Sequence, residues 1–231
     1  MSLTAVVCVV LIAIVVPPLL VVNTSRVLAN DWFVRYELER DGFPSDRYGL
    51  SPSERLELAQ TGLRSIQPGS EGIVLLEQAT LPDGSTAFNE RELRHMADVR
   101  RLLGVALRAQ IAALVLLAAL ALALCRSPRW RTVVPRGLLV GSFGMLGIAA
   151  LAVPVIVLGF DGFFVRFHGL FFTGDTWRFA TTDTLLRLYP ELFWQHTAQI
   201  ASALVVGQAI VVGLASAMWL RRFRTGSRSD W

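Results

Sequence analysis

Lysine is missing from this 231-residue chain, so its 22 basic side chains are all arginine. Charge of either sign is scarce, at 17% of residues against about a quarter in an average soluble domain. Cysteine occurs twice, and Cys8 and Cys125 both fall inside apolar runs. Two such thiols make no disulfide framework, no CxxC motif and no thiol metal site. Cys8 is also a poor lipidation cysteine, because Val6 and Val7 precede it where small residues are wanted. Internal repeats and low-complexity tracts are missing as well. The formal charge of +4 would suit a nucleic-acid binder, but the arginines flank the apolar runs. They read as topology signals, and no nucleic-acid partner is expected.

What is abundant is hydrophobicity, 53% of residues, gathered into long runs. Crossing the hydrocarbon core takes about 20 apolar residues, and four stretches qualify: 1–22, 103–125, 138–160 and 198–220. Pro17-Pro18 and Pro154 lie inside two of them, where neighbouring helices can satisfy the freed carbonyls. Gly137 and Gly141 form a GxxxG at the third span, extended by Gly144 and Gly147, which suits close helix contact. Arg126, Arg129, Arg131 and Arg136 occupy the loop 126–137, and Arg221, Arg222, Arg224 and Arg228 the tail 221–231. The positive-inside rule makes both segments cytoplasmic. The expected fold is therefore all-α membrane: four transmembrane helices in the cytoplasmic membrane with both termini cytoplasmic. Residues 23–102 become a small extracytoplasmic cap, and 161–197 an extracytoplasmic aromatic loop. A retained first anchor is preferred to a cleavable leader ending at Val27-Leu28-Ala29.

Within the cap, Ser51-Pro52-Ser53-Glu54 reads as a capping box with proline at the first helical position. The helix it starts should run to Ile66 and stop at Pro68-Gly69. Ile73 to Leu76 reads as a short strand, and the Pro82-Asp83-Gly84-Ser85 turn could close it into a hairpin. Asn89 can cap a new helix that nothing interrupts before the second span. On it, Arg91, His95, Asp98 and Leu102 share one face, with Arg94, Arg101 and Arg108 beside them. The plain reading of these arginines is snorkelling to lipid phosphates; the alternative is that one holds an anionic substrate group.

The aromatic loop carries Phe160, Phe163, Phe164, Phe167 and Phe171 at helical spacing, then Phe172, Trp177, Phe179, Tyr189, Phe193 and Trp194. An interfacial aromatic belt explains this without chemistry; an aromatic-walled site for acyl chains explains it with chemistry. Histidine is limited to His95, His168 and His196. The topology brings His95 and His168, from distant parts of the chain, to the same outer boundary, and imidazole suits proton transfer near neutral pH. His196 carries no supporting pattern and reads as interfacial packing.

Two stretches resemble the lipoprotein intramolecular transacylase family. One is Phe88 to Arg100, containing His95-Met96-Ala97-Asp98-Val99. The other runs from Phe160-Asp161 through Phe167-His168 to Phe171-Phe172, followed by Trp177, Asp183, Tyr189-Pro190-Glu191 and Phe193. The resemblance implies four membrane helices under an extracytoplasmic cap, with His95 and His168 as the catalytic pair. Arg91, Asp98, Asp161, Phe164, Phe167, Phe171, Phe172, Trp177 and Asp183 are the candidate substrate-binding or supporting residues. The implied reaction moves the sn-2 acyl chain of a diacylglyceryl-cysteine lipoprotein to its own N-terminal amine, giving the lyso form. Diacylglyceryl-modified lipoproteins and membrane lipids are then the partners, and no metal, nucleotide or other cofactor is called for. Which histidine acts as base stays open, with a preference for His95 oriented by Asp98 or a neighbouring carboxylate. The competing reading is a non-enzymatic membrane sensor or assembly factor whose aromatics pack the cap; a bis-histidine haem protein or a phospholipid hydrolase is a further rival.

Overall fold

The computed structural model describes residues 2–225. Arg228, one of the tail arginines used for orientation, lies outside the described residues. Among those described are the helices α1 (Leu3–Leu28), α2 (Asp31–Glu39), α3 (Pro52–Ile66), α4 (Val74–Glu77), α5 (Glu90–Cys125), α6 (Val133–Leu158), α7 (Phe160–Phe171), α8 (Thr184–Leu188) and α9 (Glu191–Thr225). Four of them, α1, α5, α6 and α9, are long and apolar enough to cross a membrane. The described residues form two compact units, one from 2–25, 108–154 and 200–225, the other from 26–107 and 155–199.

The first unit is built on small residues. A Cβ on Gly137 would stand 2.6 Å from the Ile12 Cβ, and one on Gly141 would stand 2.7 Å from the Ala13 carbonyl oxygen and the Val16 Cβ. Helix α1 runs unbroken through Pro17 and Pro18. Pro17 has no N–H to give to Ala13, so the carbonyl it leaves without its helical donor is the one Gly141 approaches. Gly144 and Gly147 face open space instead, so the small face expected to extend through them ends at Gly141. Apolar contacts among Val16, Leu20, Met145, Ala149, Val205 and Ala209 complete the packing. Asn23 donates to Gln208 at 2.6 Å, and Gln208 donates to the buried Thr24 hydroxyl at 2.6 Å, tying α1 to α9.

The second unit rests on caps and buried ion pairs. The Ser51–Glu54 capping box is present, with Pro52 opening α3. The last carbonyls of α3, which lack helical donors, are met by Arg100, whose guanidinium donates to Ser65 O at 2.7 Å and Gln67 O at 2.9 Å. Gly62 leaves room for Tyr189, whose hydroxyl donates to the Ala59 carbonyl. Arg187 on α8 holds Asp46 through two hydrogen bonds of 3.0 Å. His196 is not mere packing: its Nδ1 lies 3.2 Å from the fully buried carboxylate of Glu37 on α2, which Arg40 also meets at 3.5 Å.

Two expectations about the elements are revised. The strand at Ile73 to Leu76 is replaced by the short helix α4, and of the hairpin only a single Thr80–Thr86 bridge remains around the 82–85 turn. The apolarity of Val74, Leu75 and Leu76 fits one buried helical turn as well as a strand, and it is Leu76 that is buried. The third apolar helix ends at Leu158, because Gly159 takes a non-helical conformation (φ −143°, ψ 49°) before α7 begins. Helix α2 was not anticipated.

Gly141→Val should lower the thermal midpoint in detergent, with a cost of about 1–3 kcal/mol for overpacking. Gly144→Ala, which meets open space, should leave it unchanged or raised; equal losses in both would contradict the packing described. Burial pushes the Asp46 carboxyl up, but hydrogen bonds from Arg187 and from the Leu50 and Tyr48 amides outweigh it and hold the group at about 2. Its stabilising effect is therefore complete above the ordinary aspartate range and lost as pH falls toward 2. Asp46→Asn should destabilise by about 3–5 kcal/mol at pH 7 and flatten the acid limb of the stability curve, measured by urea unfolding of detergent-solubilised protein.

Candidate active site

His95 sits on the polar first turns of α5, before the apolar run that starts at Leu103. Asn89 and Glu92 place it there. The Asn89 side-chain oxygen accepts the Glu92 amide at 3.1 Å, and Glu92 Oε2 accepts the Asn89 amide at 2.8 Å, closing a reciprocal cap. The other oxygen of this buried carboxylate accepts the Leu185 amide at 2.6 Å, joining the start of α5 to α8. Thr184 adds a hydrogen bond to the Ala87 carbonyl.

His168 comes from α7, and the two imidazoles lie 6.1 Å apart between ring centroids with planes inclined by 27°. Phe172 contacts both, at 4.9 Å from His95 and 5.6 Å from His168. Phe179 stands edge-on to His95 at 5.4 Å. Trp177 at 4.9 Å, Phe164 at 4.0 Å and Phe167 at 5.6 Å enclose His168. The expected aromatic wall thus contains Phe164, Phe167, Phe172 and Trp177. Phe171 reaches it only through Phe167, at 5.0 Å, and is itself exposed.

The polar candidates sit elsewhere. Asp98 is partly exposed and lies 3.6 Å from Arg101; it makes no hydrogen bond to His95. The expectation that Asp98 orients His95 therefore fails: one helical turn separates the two, and the carboxylate turns toward the neighbouring arginine. Arg91 donates to the Arg178 carbonyl at 3.2 Å. Asp183 accepts from the Asn89 side chain at 3.1 Å and the Ala180 amide at 2.8 Å. These two hold the 178–183 loop against α5 rather than touching either imidazole. Asp161 is exposed in the first turn of α7. Phe179 and Glu92 were missed as site residues; Glu92 was legible as the third residue after the Asn89 cap, Phe179 only as one aromatic among many.

Electrostatics make the pair neutral. Burial pushes the His95 imidazole down, His168 pushes it further, and Asp98 only partly opposes them. Burial pushes His168 down too, against a hydrogen bond to the Phe164 carbonyl. That 2.9 Å bond fixes the tautomer, because a carbonyl only accepts: His168 carries its proton on Nδ1 and presents Nε2 as a lone pair. His95 Nδ1 is buried with no hydrogen-bond partner among the described residues. No group of three or more His, Cys, Asp or Glu side chains able to hold a metal occurs among the described residues.

A sequence model of the family described as Lipoprotein intramolecular transacylase Lit matches residues 6–194. The chain belongs to that family. It is a membrane acyltransferase acting on lipoproteins, and the sensor or assembly-factor reading gives way to an enzyme. The fold agrees: the membrane-integral lipoprotein intramolecular transacylase of Bacillus cereus superposes with a TM-score of 0.80 at 18% identity, over 96% of this chain and 98% of that one. A variant of the same Bacillus protein with one histidine replaced by alanine gives 0.73 at 17% identity, covering 96% of each chain. An uncharacterized protein of Aquifex aeolicus is 29% identical over 184 residues, covering 80% of this chain and 81% of its own length.

Nitrogen-15 spectra of histidine-labelled protein should show His168 as the Nδ1–H tautomer, with His95 and His168 both titrating below about 6.5. A midpoint above that value for either ring would contradict the neutral pair.

Proposed function

We propose that the enzyme moves the sn-2 acyl chain of a diacylglyceryl-cysteine lipoprotein to that lipoprotein's own α-amine, using His95 and His168. The observation that supports this most directly is the pairing of two neutral imidazoles inside one aromatic wall. The amine nitrogen attacks the ester carbonyl carbon, forming the C–N bond and an oxyanion. The C–O bond to glycerol then breaks, and one proton passes from nitrogen to the departing glycerol oxygen. The cyclic path has about eight members, an entropically awkward ring that a walled site can pre-fold.

The tautomers divide the labour. His168 Nε2, with its lone pair exposed by the Nδ1 bond to Phe164, takes the proton from nitrogen. Protonating the buried Nδ1 of His95 would bury an unpaired N–H, so its proton belongs on Nε2, from which it stabilises the oxyanion. This reverses the preference for His95 as base. An α-ammonium titrates near ~7.8, well above both depressed imidazoles, so neither removes its proton easily before attack. The aromatic walls, with no carboxylate hydrogen-bonded to either ring, disfavour the ammonium and admit the free amine. His168 then acts after the C–N bond has formed, when the nitrogen is far more acidic.

For orientation, the arginines of 126–137 and 221–231 support a cytoplasmic placement of those segments in the cell membrane. Residues 23–102 and 161–197 then face the other side, where the lipoprotein amine lies.

The test is tandem mass spectrometry of a synthetic diacylglyceryl-cysteine lipopeptide after incubation with the purified enzyme. The product is an isomer, so the fragments decide: the N-terminal fragment gains an acyl chain and the glyceryl fragment loses one. His95→Ala and His168→Ala should each lower the rate by at least about 100-fold. Stationary fragments with folded wild-type protein would refute the reading. kcat/KM should rise with pH following the substrate amine to about pH 8; a plateau from pH 6.5 upward would instead make an imidazole the group that sets the rate.

A further inference from the structure

The two histidines lie against a connection that belongs to neither neighbouring helix. Residues 172–183, between α7 and α8, form no helix or strand, and an active-site lid is one of the usual roles of such a connection. Trp177 and Phe179 belong to it. Trp177 lies 4.9 Å from the His168 ring and Phe179 lies 5.4 Å from the His95 ring. With Phe172 also against it, His95 is only 8% exposed, and its Nδ1 is closed off from solvent. A substrate carrying two acyl chains and a peptide cannot bring its ester to both imidazoles while these rings cover them.

We propose that residues 173–183 are a strap that opens to admit the lipoprotein, then closes Trp177 and Phe179 over the histidines to exclude water. This rests on the acyl transfer proposed above. Both ends of the strap are anchored. The buried Phe172 gives its amide to the His168 carbonyl at 2.8 Å, and beyond the strap Thr184 bonds Ala87 and the Leu185 amide bonds Glu92. The bonds between these ends involve exposed side chains. Arg91 donates to the Arg178 carbonyl at 3.2 Å, the Tyr48 hydroxyl to the Thr181 hydroxyl at 3.1 Å, and Asn89 to Asp183 at 3.1 Å. Bonds that water can replace are individually weak, so these act as latches. Gly174, at φ +69° with open space around it, supplies a bend beside the Phe172 anchor. Closure also has a cost: Thr176 Oγ1 on the strap and His95 Nδ1 beneath it are buried without a hydrogen-bond partner among the described residues. Opening gives both access to water. Water is excluded for a chemical reason. Its oxygen could attack the same ester carbonyl, breaking the same C–O bond while one of its protons passes to the glycerol oxygen. The product would be a free fatty acid instead of an N-acyl chain.

Diethyl pyrocarbonate, which modifies an imidazole lone pair, reads the strap independently of the reaction, with peptide mass spectrometry following carbethoxylation of His95 in the full-length protein. Arg91→Gln/Tyr48→Phe should raise that rate by at least about threefold. It should also raise the ratio of free fatty acid to N-acyl product from a diacylglyceryl-cysteine lipopeptide. In a Cys8→Ser/Cys125→Ser background, Tyr48→Cys/Thr181→Cys bridged by a reducible bis-maleimide should protect His95 and stop turnover. Cutting the bridge should restore both. An unchanged His95 rate in the unlatched and bridged proteins would overturn the strap, as would full turnover with the bridge in place. An unchanged product ratio in an unlatched protein whose His95 reacts faster would overturn the exclusion of water. His95 rates that follow the latches, with no acyl transfer in any form of the protein, would uphold the strap and refute the reaction instead.

Discussion

The site depends on one buried carboxylate. Glu92 accepts the Asn89 amide with one oxygen and the Leu185 amide with the other, so it caps α5 and binds the start of α8 at once. His95 follows Glu92 by three residues, one helical turn along the same helix. Moving that carboxylate would release the first turn of α5, and with it the ring that faces His168. The neighbouring bonds, from Asn89 to Asp183 and from Thr184 to Ala87, reinforce the same joint. The polar network therefore lies one turn away from the chemistry and positions it without hydrogen-bonding either imidazole.

That separation explains the character of the site. Imidazoles beside carboxylates are driven toward the charged form, whereas these two lie against phenylalanine and tryptophan and are driven toward the neutral one. A neutral pair can supply a lone pair and an N–H donor simultaneously. The proposed acyl transfer to an amine needs both, one at nitrogen and one at oxygen. An apolar wall is also the surroundings an acyl chain requires, so in the proposed reaction the same aromatics serve binding and proton chemistry.

Much of the fold was legible in advance, for reasons of different strength. The four apolar helices follow from run length and hydropathy, which act locally. The α3 capping box and the Asn89 cap follow from side chains bonding amides within three residues. The strand expected at Ile73 failed because four apolar residues carry no period that separates strand from helical turn. Gly144 and Gly147 looked equivalent to Gly141 in sequence, yet only Gly137 and Gly141 meet α1. Among site residues, the aromatic wall was mostly legible, while Asp98 was misjudged because helical spacing places two residues on one face without saying which way a carboxylate turns.

Sequence alone determined the membrane class and the four helices, because these rest on composition and run length, and a family resemblance in two stretches singled out the two histidines as candidates. Only the tertiary structure sets what surrounds those histidines. The Phe164 carbonyl selects the His168 tautomer, while His95 Nδ1 is buried with no hydrogen-bond partner among the described residues. For His168 the atom facing Nδ1 lies four residues back in the same helix, whereas the rings that bury His95, Phe172 and Phe179, lie about 80 residues further along the chain, and that packing no local pattern encodes.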